Sequence, residues 1–221
     1  MKLIHKRMSH IITFEGGYVS ELAVENRKMF YDMVNNIITQ IEGLHGDFTL
    51  SINNRPVEFS KYADVTLQFA PFLLNRKSLL NKLCSLLEQR AANPDFYIET
   101  AKLLGTIESY FHGVAEDLPF EIDCGKIAIG PIIKALSPQI SEDDKTGIEK
   151  IFSYMELVRE LDKERLFIMI NMRSYFSDSD MNCFIQSATL HDFKVLLLES
   201  ASYTKLNNVK RYIIDEDLCE F

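Results

Sequence analysis

Carboxylates dominate the chemistry this chain could do, and they fall in three groups. Glu116, Asp117, Glu121 and Asp123 lie within eight residues of AEDLPFEIDCGK, a junction broken by Pro119 and Gly125. Hard oxygen donors in a loop, where backbone carbonyls can join them, suit Ca²⁺, which accepts about six to eight oxygens in flexible geometry. The spacing is not that of an EF-hand. In the second group, Asp178 and Asp180 follow Ser177 at a helix start and Glu199 closes the apolar run KVLLLE. Acids are favoured in a first helical turn in any case, but the C-terminal ends of parallel strands are where α/β sites form. Glu199, Asp178 and Asp180 could thus be the Mg²⁺ ligands of a metal-dependent nuclease. In the third group, Tyr212, Ile213 and Ile214 run straight into Asp215, Glu216 and Asp217. That arrangement reads first as a strand ending in solvent and only second as a metal site.

Other chemistries lack their residues. G-x-x-x-x-G-K-[ST] and G-x-G-x-x-G are absent, and Gly43-Leu44-His45-Gly46 has neither the lysine nor the hydroxyl a phosphate loop needs. The segment where such a loop would sit, VENRKMF, contains no glycine. Backbone amides cannot wrap a phosphate without residues that permit the turn. No G-x-S-x-G elbow occurs, and no two of His5, His10, His45, His112 and His191 stand at i, i+4. Cys84, Cys124, Cys183 and Cys219 form no C-x-x-C pair. They read as reduced, buried thiols of a cytoplasmic protein rather than disulfides or a zinc cage. The apolar stretch Ile11 to Phe14 is too short for a signal peptide, and no run approaches the length of a membrane span. A net charge of −8 opposes binding to a polyanion unless basic residues converge on one surface.

These residues must be positioned by an α/β scaffold. Gly16-Gly17 between two apolar runs predicts a hairpin, and Asn53-Asn54 in FTLSINNRPVEF a second. From Asn26 a helical period places Phe30, Val34, Ile37, Ile38 and Ile41 on one face. Asn75 is expected to cap a helix bearing Leu79, Leu80, Leu83, Leu86 and Leu87. Asn93-Pro94 should start another, with Leu103, Leu104, Ile107, Tyr110, Phe111 and Val114. A short helix follows around Ile132 to Leu136, and Ser141 is expected to open a longer one, with Glu142, Asp143 and Asp144 in its first turn. LFIMIN and KVLLLE do not alternate, and with the helix between them they predict a βαβ unit buried on both faces. The organisation is therefore residues 1–74 and 141–221 as the two parts of an α/β head with a mainly parallel sheet, and 75–140 as an inserted helical subdomain.

FEGG, LAVEN before the first helix, FEID followed by IIKAL, LFIMIN, KVLLLES and the terminal YIIDEDLCEF together resemble the adaptation (spacer acquisition) proteins of type II-A CRISPR loci, the family that forms rings on double-stranded DNA ends. The resemblance implies an ATPase-like head without a phosphate loop, in a non-catalytic antiviral-defence protein. It also implies a homotetramer whose central hole, lined by lysines, threads DNA, with Ca²⁺ on acidic loops holding the ring. The implied partners are the CRISPR integrase complex and the effector nuclease. Carried over by position, Glu121 and Asp123 are calcium ligands, with Glu116 and Asp117 beside them, and Lys134 is a DNA contact. Lys126, its neighbour in sequence, is added on its own position, with Lys61, Arg76 and Lys77. Arg76 and Lys77 stand near a helix start, against the dipole. Converging lysines, with carboxylates outward or neutralised by Ca²⁺, would reconcile the negative charge with DNA binding that reads no bases. The alternative is a divalent-metal-dependent nuclease or ATPase of α/β type.

Overall fold

The computed structural model describes residues 1–162 and 164–221. The fold is α/β, and the chain divides into two compact units, Met1–Phe72 with Lys145–Phe221, and Leu73–Asp144.

The first unit is built on two sheets. Strands β1 (Lys2–His5), β2 (Ile12–Thr13), β4 (Phe48–Ile52) and β5 (Arg55–Val57) form an antiparallel sheet in the order β2-β1-β4-β5. Strands β3 (Val19–Val24), β6 (Ala63–Thr66), β7 (Leu166–Ile170), β8 (Lys194–Glu199) and β9 (Val209–Ile214) form a parallel sheet in the order β6-β7-β8-β3-β9. LFIMIN and KVLLLE are thus neighbouring parallel strands, with Ile168 opposite Leu196. Every residue of β3 and β7 is buried. One face of the parallel sheet, with Leu22, Ile168, Leu196 and Ile214, shares a core with Leu3, Phe48 and Leu50 of the small sheet. Helix α1 (Arg27–Ile41) packs into that core, capped by the Asn26 side chain, which accepts from the Met29 amide. Each fully buried Leu, Ile or Phe adds about 1.5–3 kcal/mol, so this shared layer carries much of the unit's stability.

Four expectations are corrected here. Gly16-Gly17 does not make a hairpin: β2 pairs with β1, while β3 enters the other sheet between β8 and β9. A strand buried along its whole length needs a neighbour on each edge, and Gly17, at φ +88°, redirects the chain between sheets. The buried face of α1 is Met29, Met33, Ile37 and Gln40; Phe30, Val34 and Ile41 flank it, half-buried. The last long helix of the central region, α6 (Gly147–Leu161), opens at Thr146 and not at Ser141. Thr146 and Glu149 form a reciprocal capping box there, whereas the Glu142 carboxylate accepts from the Leu74 and Asn75 amides. The cysteines are unpaired but not buried: Cys84 and Cys124 are partly exposed, and Cys183 and Cys219 are exposed. The hairpin at Asn53-Asn54 does form, with both asparagines left-handed as its two-residue turn requires.

The second unit contains α3 (Lys77–Ala92), α4 (Pro94–Ala115) and α5 (Ile129–Ala135), with α3 contacting both others. Arg76, rather than Asn75, stands at the cap of α3. The Asn75 side chain instead bonds both backbone groups of Ile140, closing the base of the unit. Of the apolar face expected on α3 only Leu79 is buried, and α4 has no buried residue along its 22.

Candidate functional site

The first acidic group of the sequence lies where α4 ends. Glu116 is the C-terminal cap of α4, Asp117 follows in the turn, and Glu121 and Asp123 lie in the irregular segment 121–128. All four are exposed. Glu116, Glu121 and Asp123 line one open cleft of about 480 Å³ together with His112 and Phe120. Asp117 does not line it. Among the described residues, no three of these four carboxylates bring oxygens within 4.8 Å of one another. A different set does: Glu108 and His112 of α4 and Cys124, with one ligand atom each inside that distance. The i, i+4 spacing of Glu108 and His112 was available in the sequence as a signal; comparing histidines only with histidines passes over it.

The basic residues divide between the units. Lys126 is exposed in the segment before α5, Lys134 in the last turn of α5, and Arg76 and Lys77 at the start of α3. Lys61 belongs to the first unit, on the short helix α2 (Phe59–Tyr62), where its ammonium sits 2.6 Å from the Glu58 carboxylate. That contact raises the Lys61 pKa and, with a bond from Ser60, lowers that of Glu58.

The carboxylates at the strand ends of the first unit are engaged with protein groups. Asp180 accepts from the Ser177 amide and hydroxyl, capping α7 (Asp178–Leu190). Asp178 lies 2.8 Å from the guanidinium of Arg173, which also reaches Glu21 at 3.0 Å. Glu21 in turn meets Nε of Arg211 at 2.6 Å, across the β3–β9 register. Arg211 donates to the Tyr203 and Thr204 carbonyls, and Arg173 lies 4.8 Å over the Tyr203 ring. Glu199 completes the cluster by accepting from the Arg173 amide at 3.1 Å. It is fully buried, and its second oxygen has no hydrogen-bond partner among the described residues. Burial pushes its pKa up to about 7, against the Arg173 amide bond, with the charge of Glu21 adding to the rise. A protonated Glu199 leaves Glu21 and Asp178 balanced by two arginines, so the cluster is neutral in a place where net charge is costly.

Sequence reasoning passed over Glu21, Arg173 and Arg211. The only signal for Glu21 is a charge inside the otherwise apolar run VSELAV, which becomes informative once that strand is known to be buried along its whole length; Arg173, in the short turn after β7, and Arg211, beside Lys210 in β9, carry no such signal. Of the terminal acids, Asp215 has a structural role. Asp215 accepts from the Asp217 and Cys219 amides, closing a turn whose arms pair Ile213 with Phe221. Strand termination is therefore a structural role that Asp215 performs.

The position a phosphate loop would occupy is a two-residue link: β3 ends at Val24 and α1 begins at Arg27. Glu25 and Asn26 fill it, Asn26 as the cap of α1 with its amide group bonded to the Glu216 carbonyl. No helix among the described residues is long and apolar enough to cross a membrane.

Over 116 residues the chain is 27% identical to a curated protein of Enterococcus faecalis named CRISPR-associated protein Csn2, covering 52% of each chain. The matched region thus spans about half the length of that relative. The family described as CRISPR-associated protein (Cas_Csn2) matches residues 40–218, most of both units. With that extent of match, the chain belongs to the CRISPR-associated Csn2 family.

Proposed function

We propose that this protein is a non-catalytic, sequence-independent binder of double-stranded DNA ends. It acts in CRISPR spacer acquisition as a calcium-stabilised homotetrameric ring, with the integrase complex and effector nuclease as partners. The observation that carries the reading is α4. Along its 22 residues nothing is buried, and Phe96, Tyr97, Ile98, Tyr110 and Val114 are all more than half exposed. That many large exposed apolar side chains on one helix make it an assembly surface rather than a solvated element. Family membership supports the adaptation role. The two-residue link after β3 and the ion-paired or capping roles of Asp178 and Asp180 support a protein without nucleotide or nuclease chemistry.

In this reading Lys126, Lys134, Arg76 and Lys77 supply phosphate contacts, which become numerous when repeated around a ring. Lys61, paired with Glu58, is the weakest member of that set. Glu116, Asp117, Glu121 and Asp123 hold Ca²⁺ with their ligand shell completed on assembly, since within one subunit they do not converge. The test is light scattering after size exclusion, with Ca²⁺ and then with chelator, each with linear and closed circular duplex of equal length. The expected result is a mass near four times 25.5 kDa in Ca²⁺, and uptake of linear DNA only. A monomer in both conditions, or equal binding to circles, would overturn it. So would DNA cleavage with Mg²⁺ or ATP turnover.

A further inference from the structure

The cluster of Glu108, His112 and Cys124 lies wholly within the second unit, apart from the calcium reading of the neighbouring acids. Glu108 and His112 stand one helical turn apart on one face of α4. The segment after the helix brings Cys124 back over that face. Its Sγ is 3.8 Å from Oε1 of Glu108 and 3.9 Å from Nε2 of His112. Among the described residues these three side chains have each other as their only hydrogen-bond partners.

We propose that Glu108, His112 and Cys124 form a binding site for a borderline-soft divalent metal, Zn²⁺ in the first instance, that clips segment 116–124 onto α4. Tetrahedral zinc with Zn–S of about 2.3 Å and Zn–N and Zn–O of about 2.0–2.2 Å has ligand-to-ligand edges of roughly 3.4–3.6 Å. The two separations from Cys124 Sγ need to close by only a few tenths of an ångström, and the Glu108 and His112 ligand atoms lie within 4.8 Å of each other. A thiolate and an imidazole are poor partners for Ca²⁺, which takes oxygen ligands, so the site is chemically distinct from one made by Glu116, Glu121 and Asp123. Three protein ligands leave one position for water or for a fourth ligand from the cleft that His112 also lines. On binding, the Cys124 thiol gives up its proton to solvent and the thiolate takes the metal, so affinity rises with pH. The metal would hold in place the segment that carries the acidic residues.

The test uses the full chain and Co²⁺ as a spectroscopic stand-in. One equivalent of Co²⁺ per chain should give a tetrahedral visible spectrum and a sulfur-to-cobalt charge-transfer band, both displaced by one equivalent of Zn²⁺ and unaffected by excess Ca²⁺. Cys124→Ser should abolish the charge-transfer band, and His112→Ala should lower Zn²⁺ affinity by at least about tenfold, the scale on which even outer-shell changes act. Cys183→Ser, at an exposed thiol elsewhere, should change neither. Glu108→Gln gives a second variant, on an exposed side chain whose loss does not threaten folding. Amide exchange across 116–124 should slow with Zn²⁺ in the parent protein and not in these site variants. A band that survives Cys124→Ser, that Ca²⁺ displaces, or that never forms would overturn the proposal.

Discussion

Replacing Glu199 by glutamine tests whether the buried charge cluster holds this carboxyl neutral. Its pKa is raised from 4.5 to about 7, chiefly by burial. The folded state therefore binds the proton more tightly than the unfolded chain. Stability from this group is greatest below about pH 4.5 and is lost as pH rises towards 7, beyond which the loss is constant. At about 1.4 kcal/mol per pKa unit, the ionised carboxylate costs the fold about 3 kcal/mol. Glutamine keeps an acceptor for the Arg173 amide, which lies 3.1 Å from the Glu199 oxygen, and never ionises. Glu199→Gln should match the parent protein near pH 4.5 and be about 3 kcal/mol more stable at pH 8, an increase of roughly 6–12 °C for a chain of this size. Urea unfolding of both proteins from pH 4.5 to 8 measures the difference directly. His5 adds an opposite slope, because burial and then Arg7 lower its pKa; its contribution is full above about 6.5 and lost as pH falls. Comparing the two proteins at each pH cancels it. A glutamine variant less stable than the parent at pH 8 would refute the reasoning, because attraction to Arg173 would then outweigh desolvation and Glu199 would be charged in the fold.

Further predictions concern other parts of the molecule. Gln40→Leu should cost about 2–4 kcal/mol, measured by denaturant unfolding, because it leaves the buried Phe48 amide and carbonyl, now bonded at 3.0 and 2.8 Å, without partners. Asp215→Ala should cost about 1 kcal/mol by removing the acceptor of the Asp217 and Cys219 amides. Faster amide exchange at Ile213 and Phe221, the arms of that turn, is its local signature. Lys126→Ala and Lys134→Ala, both exposed, should leave the melting temperature within a degree or two. In the ring reading each should flatten the dependence of log affinity on log salt by about 3–4, one phosphate contact being lost per subunit. Unchanged slopes in both would remove these lysines from the DNA path.

Local rules carried the sequence reading where the decisive interaction is itself local. Asn26 and Ser177 start their helices through side-chain caps, and Asn93-Pro94 starts its helix through the backbone, with Pro94 in the first turn and no bond from the Asn93 side chain. Asn53-Asn54 turns its hairpin because both residues tolerate positive φ. The unalternating runs of β7 and β8 announced strands buried on both faces, and the glycine-free VENRKMF announced the missing phosphate loop. Tertiary structure decided what depends on distant partners. Gly16-Gly17 looked like a hairpin until β3 found parallel neighbours from 170 and more residues away. Ser141 and Glu142 looked like a helix start until Leu74 and Asn75 claimed the carboxylate. The carboxylates show the same division. Their identities and clustering are written in the chain. Whether one is a cap, an ion-pair partner, a buried acid or a free ligand depends on which donors the fold brings within about 3 Å, and hydrogen bonding and desolvation act only over such distances. Glu21, Arg173 and Arg211 lie as much as 190 residues apart along the chain, and so do not exist as a cluster until the sheet has formed.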